Sequence, residues 1–141
     1  MASMRLSEHE CLTRLEHHDH GTFCTVHASR GVDAIPAVYA VHDGHVGIPV
    51  DTVKPKADGR LQRERNLDAD PRATLLVDHW DRADWTRLWW VRAELRAAAE
   101  DPALADALAG RLAERFTQYR DRPFTRMLVL RVVGATGWSA A

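Results

Sequence analysis

Residues 88–96 alternate between apolar and polar side chains more regularly than any other part of the chain. One parity carries Trp89, Val91, Ala93 and Leu95, and the other carries Trp90, Arg92, Glu94 and Arg96. Successive side chains of a strand point to opposite faces, so this pattern predicts a strand with one face in a hydrophobic core. The fold must therefore contain a sheet that is covered on at least one side.

Five further short runs are rich in β-branched and aromatic residues, and turn residues separate them: 23–28, 34–41, 46–50, 73–79 and 127–133. Ser7 and Glu10 form a capping-box pattern that predicts an N-terminal helix over about 7–20. Asp101 followed by Pro102 predicts a second helix over about 102–118, and residues 60–67 are helical by composition. A chain of 141 residues with many strands and few helices favours a single domain, residues 1–141, that is mainly β: an antiparallel barrel with flanking helices.

The run 34–41 is apolar at both parities, so both of its faces need cover from something other than water. One face belongs to the core, and the other requires a partner. Pro36 lies inside this run and cannot donate to a sheet ladder, which predicts a position at an edge or a bulge. An ordinary edge proline and a backbone that meets a ligand are both compatible with this position.

The charges of the chain nearly cancel, because 19 basic residues face 20 acidic ones and the formal net charge is −1. This balance argues against a surface built to grip nucleic acid or an anionic membrane. No segment approaches the ~18 consecutive apolar residues of a membrane span, so we expect a cytoplasmic protein with no membrane and no nucleic-acid partner. The two cysteines, Cys11 and Cys24, are expected to be buried thiols and not a redox pair.

A cluster of cations stands out against this neutral background. Five basic residues fall within twelve positions, opposed only by Asp58 and Glu64: Lys54, Lys56, Arg60, Arg63 and Arg65. A helix that begins here would present basic side chains and backbone N–H groups to one anion, which suits a phosphate. The alternative is a solvated helix in which Arg60 pairs with Glu64 at i, i+4.

Four tryptophans crowd into eleven residues: Trp80, Trp85, Trp89 and Trp90. Aromatic planes beside a cation cluster can cradle a flat heterocycle that carries a phosphate. Trp89 has the parity of the core, whereas Trp90 predicts a subunit interface or a ligand wall. The histidines of 17–20 are not expected to bind a metal, since adjacent helical residues point in different directions. No motif for nucleophilic catalysis occurs, so no catalytic side chain is predicted.

Four segments together resemble the pyridoxamine 5'-phosphate oxidase-like, FMN-binding split-barrel family: 54–56, 60–67, 70–78 and 88–92. More narrowly, they are similar to its actinobacterial branch that uses the deazaflavin coenzyme F-420. The resemblance runs from about residue 21 to residue 96, with a compatible C-terminal helix and strand. It implies a six-stranded antiparallel split β-barrel that forms a homodimer, with two cofactor sites at the subunit interface.

The resemblance also implies the site residues, by position. Arg63 and Asn66 would hold the phosphate-bearing tail of the cofactor, and Pro36, Ala37 and Val38 would line its flat ring. The approach segment, which leads into the helix of the cation cluster, would contribute Thr52, Lys54, Lys56 and Arg60. Trp85 would lie beside the cofactor.

The activity implied is hydride transfer between coenzyme F-420 and a small unsaturated or heteroaromatic acceptor, with the cofactor supplying the reactive hydride. An FMN-dependent oxidase or reductase of the same fold is the nearest alternative. A non-catalytic protein that stores or delivers a flavin or deazaflavin is another. A nucleic-acid role for the cation cluster is disfavoured by the net charge of the chain.

Overall fold

The computed structural model of the chain describes residues 4–53 and 59–141. Lys54 and Lys56 of the predicted approach segment lie outside the described residues. The strands are β1 (Met4–Arg5), β2 (His20–His27), β3 (Gly31–Val38), β4 (Ala40–His42), β5 (His45–Asp51), β6 (Arg72–His79), β7 (Trp89–Ala97) and β8 (Phe124–Ser139). The helices are α1 (Glu8–His17), α2 (Gln62–Ala69) and α3 (Pro102–Arg115), with 3-10 turns at Trp85–Arg87 and Thr117–Tyr119.

All strands belong to one antiparallel sheet in the order β3-β2-β6-β7-β8-β5-β4, and β1 pairs with β8. β3 and β4 follow each other in the chain, yet they lie at the two opposite edges of the sheet. Tyr39 joins them: it is fully buried, its N–H donates to the carbonyl of Asp19 (3.1 Å), and its hydroxyl donates to the carbonyl of Leu15 (2.6 Å). The sheet must therefore curl until its edges approach, which gives a half-barrel. The predicted mainly β barrel with flanking helices is confirmed.

The predicted number of six strands is too small, because residues 4–53 and 59–141 contribute eight strands to the sheet. The run 34–41 divides at Tyr39 into two strands on opposite edges, and the two residues of β1 are too few to show a periodicity. β8 runs to Ser139 instead of ending at residue 133. Its second half contains Gly134 and Gly137, which hide the strand pattern although this half pairs with β7.

Two of the helices, α1 and α3, end earlier than predicted. α1 ends at His17 instead of about residue 20, because His20 already pairs with Val38 in the ladder of β2 and β3. α3 ends at Arg115, and a 3-10 turn takes the place of the predicted continuation to 118. The helix predicted over 60–67 occupies Gln62–Ala69.

The inner face of the sheet forms the main hydrophobic core, which α1 covers on one side. Val91, Ala93 and Leu95 are fully buried there, and Trp89 packs against the same cluster with part of its ring exposed. The core face predicted from residues 88–96 is therefore confirmed. A second apolar cluster lies under α3 and consists of Ala40, Leu108, Leu112 and Tyr119. No helix within the described ranges is long and apolar enough to span a membrane.

Gly137 allows α1 to pack closely on β8. A Cβ at this position would lie 2.8 Å from Cys11 Sγ and 2.8 Å from the carbonyl oxygen of Trp90. We expect Gly137→Ala to lower the free energy of unfolding by about 2 kcal/mol, because extra atoms in a packed core force side chains and backbone apart. Urea denaturation measures the loss. Gly134→Ala is the matched control on the same strand, since no atom lies within 4 Å of its added Cβ; equal losses in both variants would refute the steric explanation.

Candidate functional site

Helix α2 carries the basic residues singled out in the sequence, and buried polar side chains attach it to the sheet. Asn66 is 3% exposed, and its Nδ2 donates to Thr25 Oγ1 (2.9 Å) on β2 and to Asp33 Oδ2 (2.9 Å) on β3. Its Oδ1 accepts a hydrogen bond from Gln62 Nε2 (2.8 Å). Asn66 thus fastens one side of α2, and both hydrogens of its amide group are already used.

Glu64 fastens the other side of α2 to β8. Its side chain is only 1% exposed, and Arg126 donates to both of its carboxylate oxygens, from Nε (2.7 Å) and from Nη2 (2.8 Å). The backbone N–H of Leu61 adds a third donor (3.0 Å). Burial acts to raise the pKa of Glu64, but the hydrogen bonds and charge of Arg126 outweigh it and hold the pKa below its ordinary value. The carboxylate is therefore ionised at neutral pH.

Arg60 does not form the predicted alternative pair with Glu64. Its Nη2 lies 2.9 Å from Asp68 Oδ2 on the exposed side of α2, so Arg60 remains at the surface beside the start of the helix. Arg60 also precedes the first helical residue, although the sequence predicted that the helix would begin at residue 60.

The start of α2 lacks a capping side chain. Leu61 occupies the N-cap position and has no polar atom that could accept from the first-turn N–H groups. Gly59 precedes it with φ +84°, a left-handed conformation that glycine adopts without strain. The N–H of Leu61 donates to Glu64, but the N-cap residue supplies no acceptor for the first-turn N–H groups, which carry the partial positive charge of the helix start.

Arg63 has a buried donor atom that could bind an anion. Its Nε is buried and has no hydrogen-bond partner within the part of the chain that the structure describes. Burial lowers the pKa of this guanidinium, while the charges of Glu64 and Asp51 act in the opposite direction. A buried charged donor without an acceptor is costly, so an anion that reached Arg63 would gain a strong hydrogen bond.

The end of β5 and the start of β8 form the neighbouring wall. Asp51 is buried and accepts from the hydroxyl of Tyr119 and from the N–H of Val53 (3.1 Å). Thr52 is exposed, and its N–H donates to the carbonyl of Pro123 (3.0 Å). These bonds fix the point where the chain leaves β5 toward the basic segment.

The three predicted ring-lining residues lie on β3, at one edge of the sheet. Pro36 is exposed and stands opposite Thr22 of β2, so its predicted edge position is confirmed. Ala37 packs against the main core and Val38 against the cluster under α3. At these three positions, β3 can therefore contact a ligand through backbone atoms and the exposed ring of Pro36.

Trp85 lies far from α2 within one copy of the chain. It is 68% exposed in the connection between β6 and β7, and its ring meets that of Trp80 edge to face at 6.1 Å. β6 starts next to the C-terminal end of α2 and runs away from it for eight residues, about 25 Å at strand geometry, before this connection begins. A single copy of the chain does not bring Trp85 and Arg63 together.

Two features of this region have no counterpart in the sequence patterns. Arg126 is 62 residues from Glu64, and Tyr119 is 68 residues from Asp51. No rule of sequence spacing connects such distant pairs. A buried acidic side chain needs a partner, so only the burial of Glu64 within the cation cluster could have indicated that its partner lies elsewhere.

The histidine-rich segment forms ring contacts. His18 stacks on His20 with ring centroids 5.0 Å apart, and it meets Trp89 edge to face at 5.4 Å. Among residues 4–53 and 59–141, no group of three His, Cys, Asp or Glu side chains is placed to hold a metal ion.

The known proteins that match this chain share its fold but little of its sequence. No protein-family profile matches the sequence, and no curated protein is similar to it in sequence. A FAD-binding protein from Mesorhizobium loti matches with a TM-score of 0.71 and 17% identity, covering 98% of this chain and 96% of its own. A conserved hypothetical protein from Mycobacterium tuberculosis matches with a TM-score of 0.74 and 22% identity, covering 96% and 86%.

An FMN-binding protein from Syntrophomonas wolfei matches with a TM-score of 0.66 and 17% identity, covering 92% of this chain and 87% of its own. The fold is not restricted to flavin proteins, because a heme storage protein from Vibrio cholerae also matches (TM-score 0.61, 12% identity, 90% and 89% covered). The resemblance stated from the sequence is confirmed at the level of the fold, which is that of the flavin-binding split-barrel proteins.

Proposed function

We propose that this protein binds a phosphate-bearing flavin or deazaflavin cofactor and uses it as an oxidoreductase. The observation that carries the proposal is the buried Nε of Arg63, a charged donor without an acceptor, next to the uncapped start of α2. A phosphate fits this donor set, because it accepts hydrogen bonds from a guanidinium and from helix N–H groups together. The FAD- and FMN-binding neighbours share the fold that presents this site.

Coenzyme F-420 is our first candidate and FMN the second. The tail of F-420 carries carboxylates beyond its phosphodiester, so it presents more negative charge than the tail of FMN. The cation cluster, which also includes Lys54 and Lys56, exceeds what a single phosphate needs. Arg60 lies at the surface beside the helix start, where a longer anionic tail could replace Asp68 as its ion-pair partner.

We further propose that a homodimer completes the site. Trp85 follows β6 at the end of that strand away from α2, and we infer that a second copy of the chain places this indole beside the cofactor of the first. One end of the outer face of the sheet also requires cover: Trp90 and Trp138 stand opposite each other there, and both are half-buried. A two-fold interface at this end, away from the Arg96 end of β7, would form two equivalent sites.

The chain's own residues would bind and orient the cofactor. When bound, the flavin or deazaflavin supplies the hydride chemistry. Arg63 and the first-turn N–H groups of α2 hold the phosphate, and the edge of β3 at Pro36, Ala37 and Val38 forms a wall for the flat ring. Backbone N–H groups near Val38 would polarise the ring carbonyls, so no acid–base side chain is required.

Parallel titration of the purified chain with F-420 and with FMN tests the proposal. We expect saturable binding of F-420 followed by turnover of an unsaturated or heteroaromatic acceptor. Tight FMN binding with negligible affinity for F-420 would transfer the proposal to the FMN alternative. Absence of binding to either cofactor would refute it.

Storage or delivery of a cofactor without turnover is the second candidate, because a heme storage protein has the same fold. Bound cofactor with no reaction across a broad panel of acceptors would support it over the oxidoreductase.

Arg63→Ala is expected to weaken cofactor binding by about 1.5 to 3 kcal/mol, or ten- to a hundredfold, because it removes a charge-assisted hydrogen bond. Isothermal titration with the cofactor that binds measures the loss. Arg65→Ala is the matched control: Arg65 is exposed on the same helix and donates to the carbonyl of Arg60 (2.8 Å) and to Gln62 (3.1 Å). An unchanged affinity in a folded Arg63→Ala variant would exclude Arg63 from the site.

A further inference from the structure

A row of basic side chains crosses the outer face of the sheet, outside the proposed cofactor site. Arg72 of β6 stands directly opposite Arg96 of β7, Arg96 opposite Arg131 of β8, and Arg131 opposite His45 of β5. Directly opposite residues of antiparallel strands project to the same face, with Cβ atoms about 5 Å apart. Like charges in these positions destabilise a sheet, so three arginines in register require a counter-charge.

A β-bulge creates the contact between two of these arginines. Glu94 pairs with Gly134, but Leu95 pairs with Val132, so Val133 is an extra residue in β8. With an unbroken register Arg96 would stand opposite Val132, and the side chain of Arg131 would project inward. The bulge therefore turns Arg131 to the outer face and places it beside Arg96; bulges often redirect side chains next to binding sites.

Acidic residues of the chain neutralise only one end of the row. Asp70 forms an ion pair with Arg72, with 2.7 Å between Oδ2 and Nη2. Glu94 lies 3.5 Å from Arg92 and belongs to that pair. Within the described ranges, Arg96 and Arg131 form no ion pair, and Arg96 donates only to the carbonyl of its neighbour Leu95 (2.8 Å). Neither Arg96 nor Arg131 thus has an ion-pair partner of its own among these residues, although Asp70 lies near enough to Arg96 to interact with it electrostatically.

A surface pocket of about 520 Å³ adjoins the row, and Arg72 and Arg96 both line it. Its remaining wall combines the apolar Val26 and Val32, the second of which is 67% exposed, with the polar Thr25, Thr74 and Glu94. Because the carboxylate of Glu94 already lies 3.5 Å from Arg92, the two guanidiniums and the aliphatic side chains remain for a ligand with an anionic end and an apolar body.

We propose that Arg72, Arg96 and Arg131 form a second binding site, for an organic anion with at least two negative charges, such as a diphosphate or a tricarboxylate. Two charges about 5 Å apart span two neighbouring arginines of the row, whereas one small monovalent anion cannot. The apolar part of such a ligand would rest on Val26 and Val32. This inference is independent of the proposed cofactor site, which lies at the opposite end of α2.

Calorimetric titration of the whole chain with pyrophosphate and with citrate, at constant ionic strength, tests the proposal. We expect saturable binding of at least one probe, and the comparison between them distinguishes phosphate from carboxylate ligands. Arg96→Gln and Arg131→Gln should each weaken binding about tenfold, since each removes a charge-assisted contact. Arg82→Gln is the control, because Arg82 is exposed in the connection between β6 and β7, away from the row.

Thermal unfolding at low salt gives a second measure that does not depend on a chosen ligand. Arg131→Gln should raise Tm, because it relieves repulsion within the row, and it should reduce the rise in Tm that pyrophosphate or citrate causes in the unaltered chain. If Arg96→Gln fails to fold, the exposed Arg131 still provides the test.

Three results would overturn the proposal. The first is no saturable binding of either probe, and the second is an equal loss of binding in Arg82→Gln. The third is binding that Arg63→Ala removes while Arg96→Gln and Arg131→Gln retain it, since such binding belongs to α2. If the row variants instead change the oligomeric state without changing anion binding, the row is a contact between copies of the chain.

Discussion

Replacement of Asn66 by alanine is expected to lower the free energy of unfolding by about 3 to 4 kcal/mol in the absence of any cofactor. The change removes three hydrogen bonds and leaves Thr25, which is 3% exposed, without its donor. It also releases α2 from β2 and β3, since Asn66 makes the polar contacts to both strands. Urea denaturation at neutral pH measures the loss.

The variant Asn66→Asp distinguishes a structural role of Asn66, which holds α2 on the sheet, from a role in binding the cofactor. It would place a carboxylate at hydrogen-bond distance from Asp33, where Asn66 Nδ2 now lies 2.9 Å from Oδ2. We expect the loss of stability relative to the unaltered chain to be larger at pH 7 than at pH 4, because protonation of one carboxylate relieves the repulsion. Asp68→Asn, on the exposed side of α2, is the control. If Asn66→Ala loses cofactor affinity but no stability, Asn66 binds the cofactor and does not hold α2 on the sheet.

Replacement of Arg126 by alanine is expected to cost about 3 kcal/mol, the lower end of the range for breaking a buried ion pair. The reason lies with Glu64, because its buried carboxylate would keep only the N–H of Leu61 as a donor. Chemical denaturation measures the loss. The matched control is Arg122→Ala, since Arg122 pairs with Asp106 at the surface (2.8 Å) and such pairs contribute little.

The pH dependence of this loss identifies its cause. In the unaltered chain the pKa of Glu64 is depressed, so its contribution to stability is present above the ordinary pKa of a glutamate and is lost as the pH falls through the depressed value. Without Arg126, burial is left largely unopposed and raises the pKa of Glu64. The difference in stability between the two proteins should therefore be largest at neutral pH and should shrink below about pH 4.5. A difference that stays constant from pH 7 to pH 4 would contradict the assignment to Glu64.

The elements of this fold that short-range patterns describe could be predicted from the sequence. Residues 88–96 alternate because only one face of β7 is buried, and the pattern needs no information from the rest of the chain. Ser7 and Glu10 cap α1 as predicted, since both bonds of a capping box are local. The helix in the cation cluster exists, although it begins after Arg60.

The arrangement of the candidate site could not be predicted in the same way. Asn66 meets Thr25 and Asp33, which precede it by 41 and 33 residues, and Glu64 meets a residue on the last strand. These partners are set by the curl of the sheet, which joins β3 to β4 at Tyr39 and brings distant strands to the same helix. The resemblance identified the region of α2 but could not show that two of its side chains are bound within the fold.

The position of β8 has a consequence for how the chain folds. β8 pairs with β1, β5 and β7, and it is the last strand of the sheet to be synthesised. Until it arrives, the group β3-β2-β6-β7 and the hairpin of β4 and β5 each present an unpaired edge, and contacts such as that of Val46 with Leu130 span most of the chain. Non-local pairing of this kind slows folding and leaves sheet edges open to aggregation. A nascent chain that stops before Phe124 would hold two separate pieces of sheet, and only the sixteen residues of β8 unite them.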